Sequence, residues 1–371
     1  MSDVVFSKAG DTSYLCDKIK ICNMSITVSQ GLSGKYFSAT VPDLIFEIGG
    51  TDAVVVLRLD GDEVYSERLF PVGGSISIRD VGDMVRPYAK ARLVTEMTVN
   101  ITERDTDENN LSSTSLSCTI VYCEADIDMA AEKWCKTHFL TILMGARVTS
   151  LGRLEYLHYI GTDSATVTAY YSDGSTGSFA ATVIGGNTKY TTIDCSPARY
   201  TAQGKTLTSY VVKAGSRSQQ FDIDFSNPDC APILVFNNSF GCEELLYCIG
   251  KETISAAYKY DTAYIEGKNT NYKVTETTSF KADTGPLSFP MADWCRELFR
   301  SDYVRIVNVY GGTVTPGKEM VVSDPKVEYD NNIDELPRIT FTVQYAQKNH
   351  NVIQTARAGR IFDNTFDYTF N

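Results

Sequence analysis

Tryptophan and histidine are scarce in this 371-residue chain, with two Trp and three His against 22 Tyr. The histidines, His138, His158 and His350, stand far apart, without the spacing that gathers imidazoles around a zinc ion. Ten cysteines are present, yet Cys16/Cys22, Cys118/Cys123 and Cys242/Cys248 all miss the C-x-x-C spacing of zinc or redox sites. Their irregular spacing points to buried thiols acting as small apolar side chains rather than to a disulfide framework. No G-x-S-x-G elbow and no recognisable cysteine nucleophile signature occurs. The longest nearly uncharged apolar piece, Phe139 to Ala146, is too short to span a bilayer, so no membrane anchor is expected. The first residues lack a basic stretch followed by an apolar run, which implies synthesis in the cytoplasm without ordinary secretion. Positive charge is also under-represented: 34 Lys and Arg against 46 Asp and Glu give a net charge of -12. No basic cluster is interleaved with aromatics, so direct nucleic-acid recognition is not expected.

What the chain does have is Thr, Val, Ile, Tyr and Ser in long tracts, residues that suit pleated, half-buried strands. Apolar residues make up 43% of it, enough for globular cores. The reading is mainly β: several antiparallel β-sandwich domains with a few short helices. Asp60-Gly61 between apolar-rich runs marks a hairpin within Ala53 to Phe70. Leu93 to Glu103 and Ser115 to Ala125 alternate at period two. Pro87 is expected to stop a helix after about one turn. Residues 1–125 therefore read as an N-terminal sandwich after a polar lead-in over 1–20. Residues 126–160 read as an ordered connecting segment. It has a helix starting near Asp128 and buried connecting strands over His138 to Gly145 and through Arg153 to Ile160. Residues 161–228 form a second, smaller β domain, whose strand, Asp-Gly turn and returning strand repeat the first domain in miniature. Residues 229–371 form a C-terminal β-rich domain with a long polar hairpin and a helix over Met291 to Ser301. Met291, Trp294, Cys295, Leu298 and Phe299 share one face of that helix. The tail from Asn349 onward is expected to dock on another surface.

Three near-motifs fail on chemistry. Gly312 to Glu319 approaches the phosphate loop G-x-x-x-x-G-K-S/T, but Glu319 replaces the metal-binding hydroxyl and a strand pattern follows where a helix should begin. Asp105, Asp107 and Asn109 have calcium-loop spacing, but Asn110 and Leu116 stand where the glycine and the bidentate Glu belong. Asp60, Asp62 and Glu63 are the residue types that serve as acid and base in a glycosidase cleft, yet they sit in a D-G turn. No catalytic set, metal site or cofactor is implied, and the chain does not read as an enzyme.

From Cys230 to Ser301 the chain resembles tail-tip and baseplate (distal-tail-like) structural proteins of tailed bacteriophages and prophages of gut Bacteroidota. The resemblance rests on an Asn-x-Phe-Gly turn before a strand (Asn238, Phe240, Gly241, Glu243). It rests also on a Thr-Gly-x-Leu stretch leading into a short Trp/Leu helix that ends before Ser (Thr284, Gly285, Leu287, Trp294, Leu298, Ser301). It implies a mechanical role in the virion tail, as a ring or adaptor linking tail tube to hub or receptor-binding parts. Its partners would be further copies of itself in a ring and other tail proteins. The tip of the long hairpin is the part expected to meet a neighbour: Thr262, Tyr264, Ile265, Glu266, Lys268, Asn269, Asn271 and Tyr272. Two other classes compete, a carbohydrate- or receptor-binding β-sandwich adhesin and, third, a glycan-degrading enzyme.

Overall fold

The computed structural model describes residues 26–226, 230–310, 313–327 and 335–347. The lead-in, Cys16, Cys22, Gly312, His350 and the tail from Asn349 lie outside the described residues. The architecture is mainly β: strands arranged in five sheets, nearly all antiparallel, with a few short helices. The chain divides into two compact units that do not follow chain order. One takes the described residues of 1–33 with 42–84 and 97–118; the other takes 34–41, 85–96 and the described residues from 119 onward.

In the first unit, Asp52–Leu59 and Asp62–Leu69 form a hairpin, and Asp52–Leu59 pairs on its other side with residues 97–104. Val55, Leu57 and Leu59 are buried with half-buried residues between them, and Ile101, Val99 and Met97 face them across the ladder. That alternation is the period-two pattern of a sheet with one face in the core. Asp60 and Gly61 both have positive φ (49° and 93°), the two-residue turn whose twist matches the flanking strands. A three-stranded sheet of Thr27–Gln30, Leu44–Glu47 and Ser75–Ile78 completes this unit.

The helix expected to stop at Pro87 instead runs twelve residues, Val81–Arg92, with the proline inside it. Val81, Val85 and Ala89 are fully buried at successive turns. Burying such a stripe offsets the roughly 3 kcal/mol that an interior proline costs a helix.

The second unit contains a sandwich. A five-stranded sheet, in the order Thr176–Ala180, Ala165–Tyr171, Leu207–Ala214, Arg217–Ile223 and Arg147–Thr149, faces a three-stranded one of Tyr156–Ile160, Tyr190–Asp194 and Thr182–Gly186. Tyr159, Val167, Ile193, Tyr200, Tyr210 and Phe221 fill the space between. Tyr210 and Phe221 stack in parallel at 4.7 Å. Two strands of the expected connecting segment are thus built into this sandwich. Residues 139–145 are not a strand: they run irregularly, though largely buried, with Leu140 N–H donating to His158 O at 2.7 Å. The helix expected near Asp128 begins slightly later, at Ala131–Thr137.

The same unit holds a seven-stranded antiparallel sheet. Its order is Glu243–Tyr247, Ile233–Asn237, Val304–Tyr310, Thr313–Lys326, Arg338–Tyr345, Lys268–Pro286 and Thr253–Ile265. Helices Phe289–Cys295 and Glu297–Arg300 share a core with it, and Met291, Trp294, Cys295 and Leu298 are all buried there with Phe236, Phe280, Phe341 and Val343. Ser288 caps the first helix by accepting from Met291 N–H. Gly317, Lys318 and Glu319 of the phosphate-loop lookalike lie inside the Thr313–Lys326 strand, so no helix N-terminus follows them.

Candidate assembly interface

The last two strands of the seven-stranded sheet outgrow it. Lys268–Pro286, the inner strand, pairs with Arg338–Tyr345 only from Ser279 inward. Among the described residues the outer strand, Thr253–Ile265, pairs only with the inner one. Beyond Ser255 and Ser279, whose hydroxyls meet at 2.8 Å, the two continue for about 35 Å, at some 3.4 Å per residue, as a ribbon with no further strand beside it among the described residues. The turn is Glu266-Gly267, both with positive φ (50° and 78°), so the pair closes on two residues.

All eight residues expected at the hairpin tip are exposed. Thr262, Tyr264 and Ile265 end the outer strand, Glu266 makes the turn, and Lys268, Asn269, Asn271 and Tyr272 begin the return. Sequence reasoning missed the stem. Ile254, Ala256, Tyr258 and Tyr260 share one side of the outer strand, opposite Phe280, Thr278, Glu276 and Val274. On the other side stand Ser255, Ala257, Lys259 and Asp261, opposite Ser279, Thr277, Thr275 and Lys273. The ribbon is therefore amphipathic at period two, with a tyrosine side and a polar side. The spacing of Tyr258, Tyr260 and Tyr264 in the sequence carried that signal. Tyr258 is 53%, Tyr260 54%, Tyr264 74% and Tyr272 64% exposed, so nothing among the described residues covers this side. Tyr258 hydroxyl donates to Glu276 at 3.4 Å, and the charge of Glu276 raises its pKa.

The opposite edge of the sheet is built differently. On Glu243–Tyr247, two backbone carbonyls accept from side chains: Leu245 O from Arg147 Nη2 at 2.7 Å, and Glu243 O from His158 Nε2 at 3.2 Å. Arg147 is itself held inside the protein. Its Nε meets Glu155 at 2.8 Å, its Nη1 meets Glu244 at 3.6 Å, and its guanidinium lies over Trp294. Glu244 also accepts from Trp294 Nε1 and from Asn238 Nδ2. Burial pushes both carboxyls above the ordinary glutamate range, with the Arg147 charge opposing it. The cluster is closed and fully occupied by its own members, so it reads as structural.

The other candidate residues have partners within their own loops and strands. Asp105 accepts from the backbone N–H groups of Asp107 and Asn109, both at 2.9 Å, and so shapes its own loop. Glu63 pairs with Arg58 at 3.0 Å across the Asp60-Gly61 hairpin. His138 stacks on Trp134 at 4.4 Å. Eight free cysteines lie among the described residues, seven of them buried. No helix among the described residues is long and apolar enough to cross a membrane.

No protein-family model and no curated protein matches this chain. Among solved structures, the full extracellular region of plexin A4 is similar at 9% identity and a TM-score of 0.22, over 89% of this chain and 37% of that one. The fibronectin(III)-like modules of Clostridium thermocellum CbhA are similar at 8% identity and a TM-score of 0.18, over 54% of this chain and 94% of theirs. An I-band fragment of titin follows at 11% identity and a TM-score of 0.18, over 69% of this chain and 93% of that one. This chain spans 37% of the plexin region's length.

Proposed function

We propose that this chain is a structural assembly protein of a bacteriophage tail, a ring or adaptor that links the tail tube to hub or receptor-binding parts in the virion. The observation that carries the assembly part is the ribbon, uncovered among the described residues. A two-stranded ribbon standing alone is marginal in water, and large exposed apolar patches mark interaction surfaces. Tyrosine suits such a surface, since it brings a large rigid area and a hydroxyl at low entropic cost. The tail part rests on the resemblance of residues 230–301. In such an assembly the partners are further copies of the chain and other tail proteins.

Native mass spectrometry and electron microscopy of the purified protein, or of its particle, test this reading. Rings of defined stoichiometry are expected. A strictly monodisperse monomer that binds glycans would support the second reading, an adhesin whose exposed tyrosines stack on sugar rings.

A further inference from the structure

We infer that two copies of this chain join edge to edge through the outer strand, Thr253–Ile265. The strands run antiparallel about Tyr260, so that Lys259 of each copy faces Asp261 of the other. The inference rests on the assembly reading above only in taking a second copy as the partner.

The edge itself is the first argument. An edge strand offers a row of backbone donors and acceptors to any passing chain, and proteins usually guard it with proline, a bulge, several charges or a covering segment. The outer strand is thirteen residues long, TISAAYKYDTAYI, without proline or glycine and with one lysine. Its pairing with the inner strand does contain a bulge, but the extra residue is Tyr272 on the inner strand, and the outer edge keeps its regular alternation. No strand lies beyond it among the described residues.

The other edge of the same sheet supplies the second argument. There Arg147 and His158 already occupy outward carbonyls of Glu243–Tyr247. A head-to-tail continuation, with the outer strand of one copy added to the far edge of the next, finds those acceptors taken. The outer strand of another copy is the matching open edge.

The register follows from charge and side. An antiparallel pairing centred between two residues would set the tyrosine side of one copy level with the polar side of the other. Centring on Lys259 or on Asp261 would set like charges directly opposite. Centring on Tyr260 does neither. It places Tyr258 opposite Thr262, Ala256 opposite Tyr264, and Lys259 opposite Asp261 on both sides of the twofold axis. The contact is isologous and self-complementary and closes at two copies, so a ring of more members joins such pairs through a second, heterologous contact elsewhere on the chain. It turns two marginal ribbons into one four-stranded sheet with the tyrosines on a continuous face, which meets the strand number that independent stability requires.

Charge reversal with complementation tests this on the full chain. Lys259→Asp alone sets acid against acid, and Asp261→Lys alone sets base against base. Each is expected to weaken self-association at least tenfold in sedimentation velocity. An equimolar mixture restores opposite charges at both positions and is expected to recover the wild-type association. Asp261→Lys also faces Lys273 of its own ribbon, and recovery in the mixture separates that local effect from the contact between copies. In a second assay, Tyr260→Cys is expected to form a symmetric disulfide dimer on mild oxidation well ahead of Thr277→Cys on the inner strand. A mixture no better associated than either variant, or equal cross-linking at the two positions, overturns the inference. If both charge variants assemble like wild type, this contact is wrong while the tail reading stands. If wild type stays monomeric at every concentration, both fall.

Discussion

The guanidinium of Arg147 lies 4.5 Å over the ring of Trp294, with Glu155 and Glu244 on its nitrogens, and all four side chains are buried. This joins a short strand of the sandwich to the helix and closed edge of the seven-stranded sheet. Removing the cation would take away the charge partner of Glu244 and leave Glu155 with the weaker attraction of Arg153. Arg147→Met is therefore expected to cost about 3–5 kcal/mol in urea unfolding. Arg147→Lys keeps the charge but loses the planar fork that serves Glu155, Glu244 and Leu245 O together, and is expected to cost less. Equal unfolding midpoints for Arg147→Met and wild type would show that the cluster carries no stability.

His158 bonds Thr192 Oγ1 at 2.9 Å through Nδ1 and Glu243 O at 3.2 Å through Nε2. A carbonyl can only accept, so Nε2 carries the proton and Nδ1 takes the hydroxyl of Thr192. Burial lowers the pKa of this imidazole to about 4, against an ordinary 6.5. The folded state therefore binds a proton less readily than the unfolded chain. The contribution of His158 is fully present above pH 6.5 and is lost as pH falls toward 4, with a loss of about 1–3 kcal/mol. Unfolding midpoints measured between pH 7 and pH 4 should fall in wild type and fall less in His158→Gln. Parallel curves would remove the histidine from the account.

Asp52 also loses its contribution as pH falls, but because its charged form is the one the fold favours. Its buried carboxylate accepts from Arg68 Nε and Arg104 Nε, both at 2.9 Å. Burial raises its pKa, but the hydrogen bonds and charges of the two arginines outweigh this and leave it lowered from 3.8. Stability from Asp52 is therefore present above pH 3.8 and lost as pH falls below it. Asp52→Asn should destabilise the protein at pH 7 and flatten the acid limb below pH 4. An unchanged acid limb would place that loss elsewhere.

The sequence carried much of the fold because sheets write their burial at period two. Val55, Leu57 and Leu59 announce the core face of their strand, and Asp60-Gly61 is a turn that local chemistry selects. The helix through Pro87 was not legible, since the burial of Val81, Val85 and Ala89 that sustains it is a tertiary effect. The cluster of Arg147, Glu155, Glu244 and Trp294 joins residues up to 147 positions apart, and nothing local marks such a meeting. The hairpin tip was legible from its polar composition, while the stem was hidden because Tyr258 and Tyr260 read as part of an ordinary strand leading into the hairpin. Their exposure appears only once the neighbouring strand, Arg338–Tyr345, is seen to stop opposite Ser279.

That stopping point defines the last prediction. Ser255 and Ser279 pair at the base of the ribbon, and Ser279 is the outermost inner-strand residue backed by Arg338–Tyr345, through Gln344. Replacing Ala256 to Thr278 with Asn-Gly would close the hairpin at this pair with a turn suited to two residues. The excised residues contribute no buried side chain, so the core anchored by Phe280, Phe341 and Trp294 stays intact. Unfolding should shift by less than about 1 kcal/mol, within the range of surface changes. The edge-to-edge pair of copies, read by sedimentation or native mass spectrometry, should disappear. The two readouts separate the alternatives, because an arm needed for folding lowers the unfolding midpoint, whereas an arm needed for assembly removes only the oligomers. A shortened chain that folds and still assembles would show that the ribbon is not the interface.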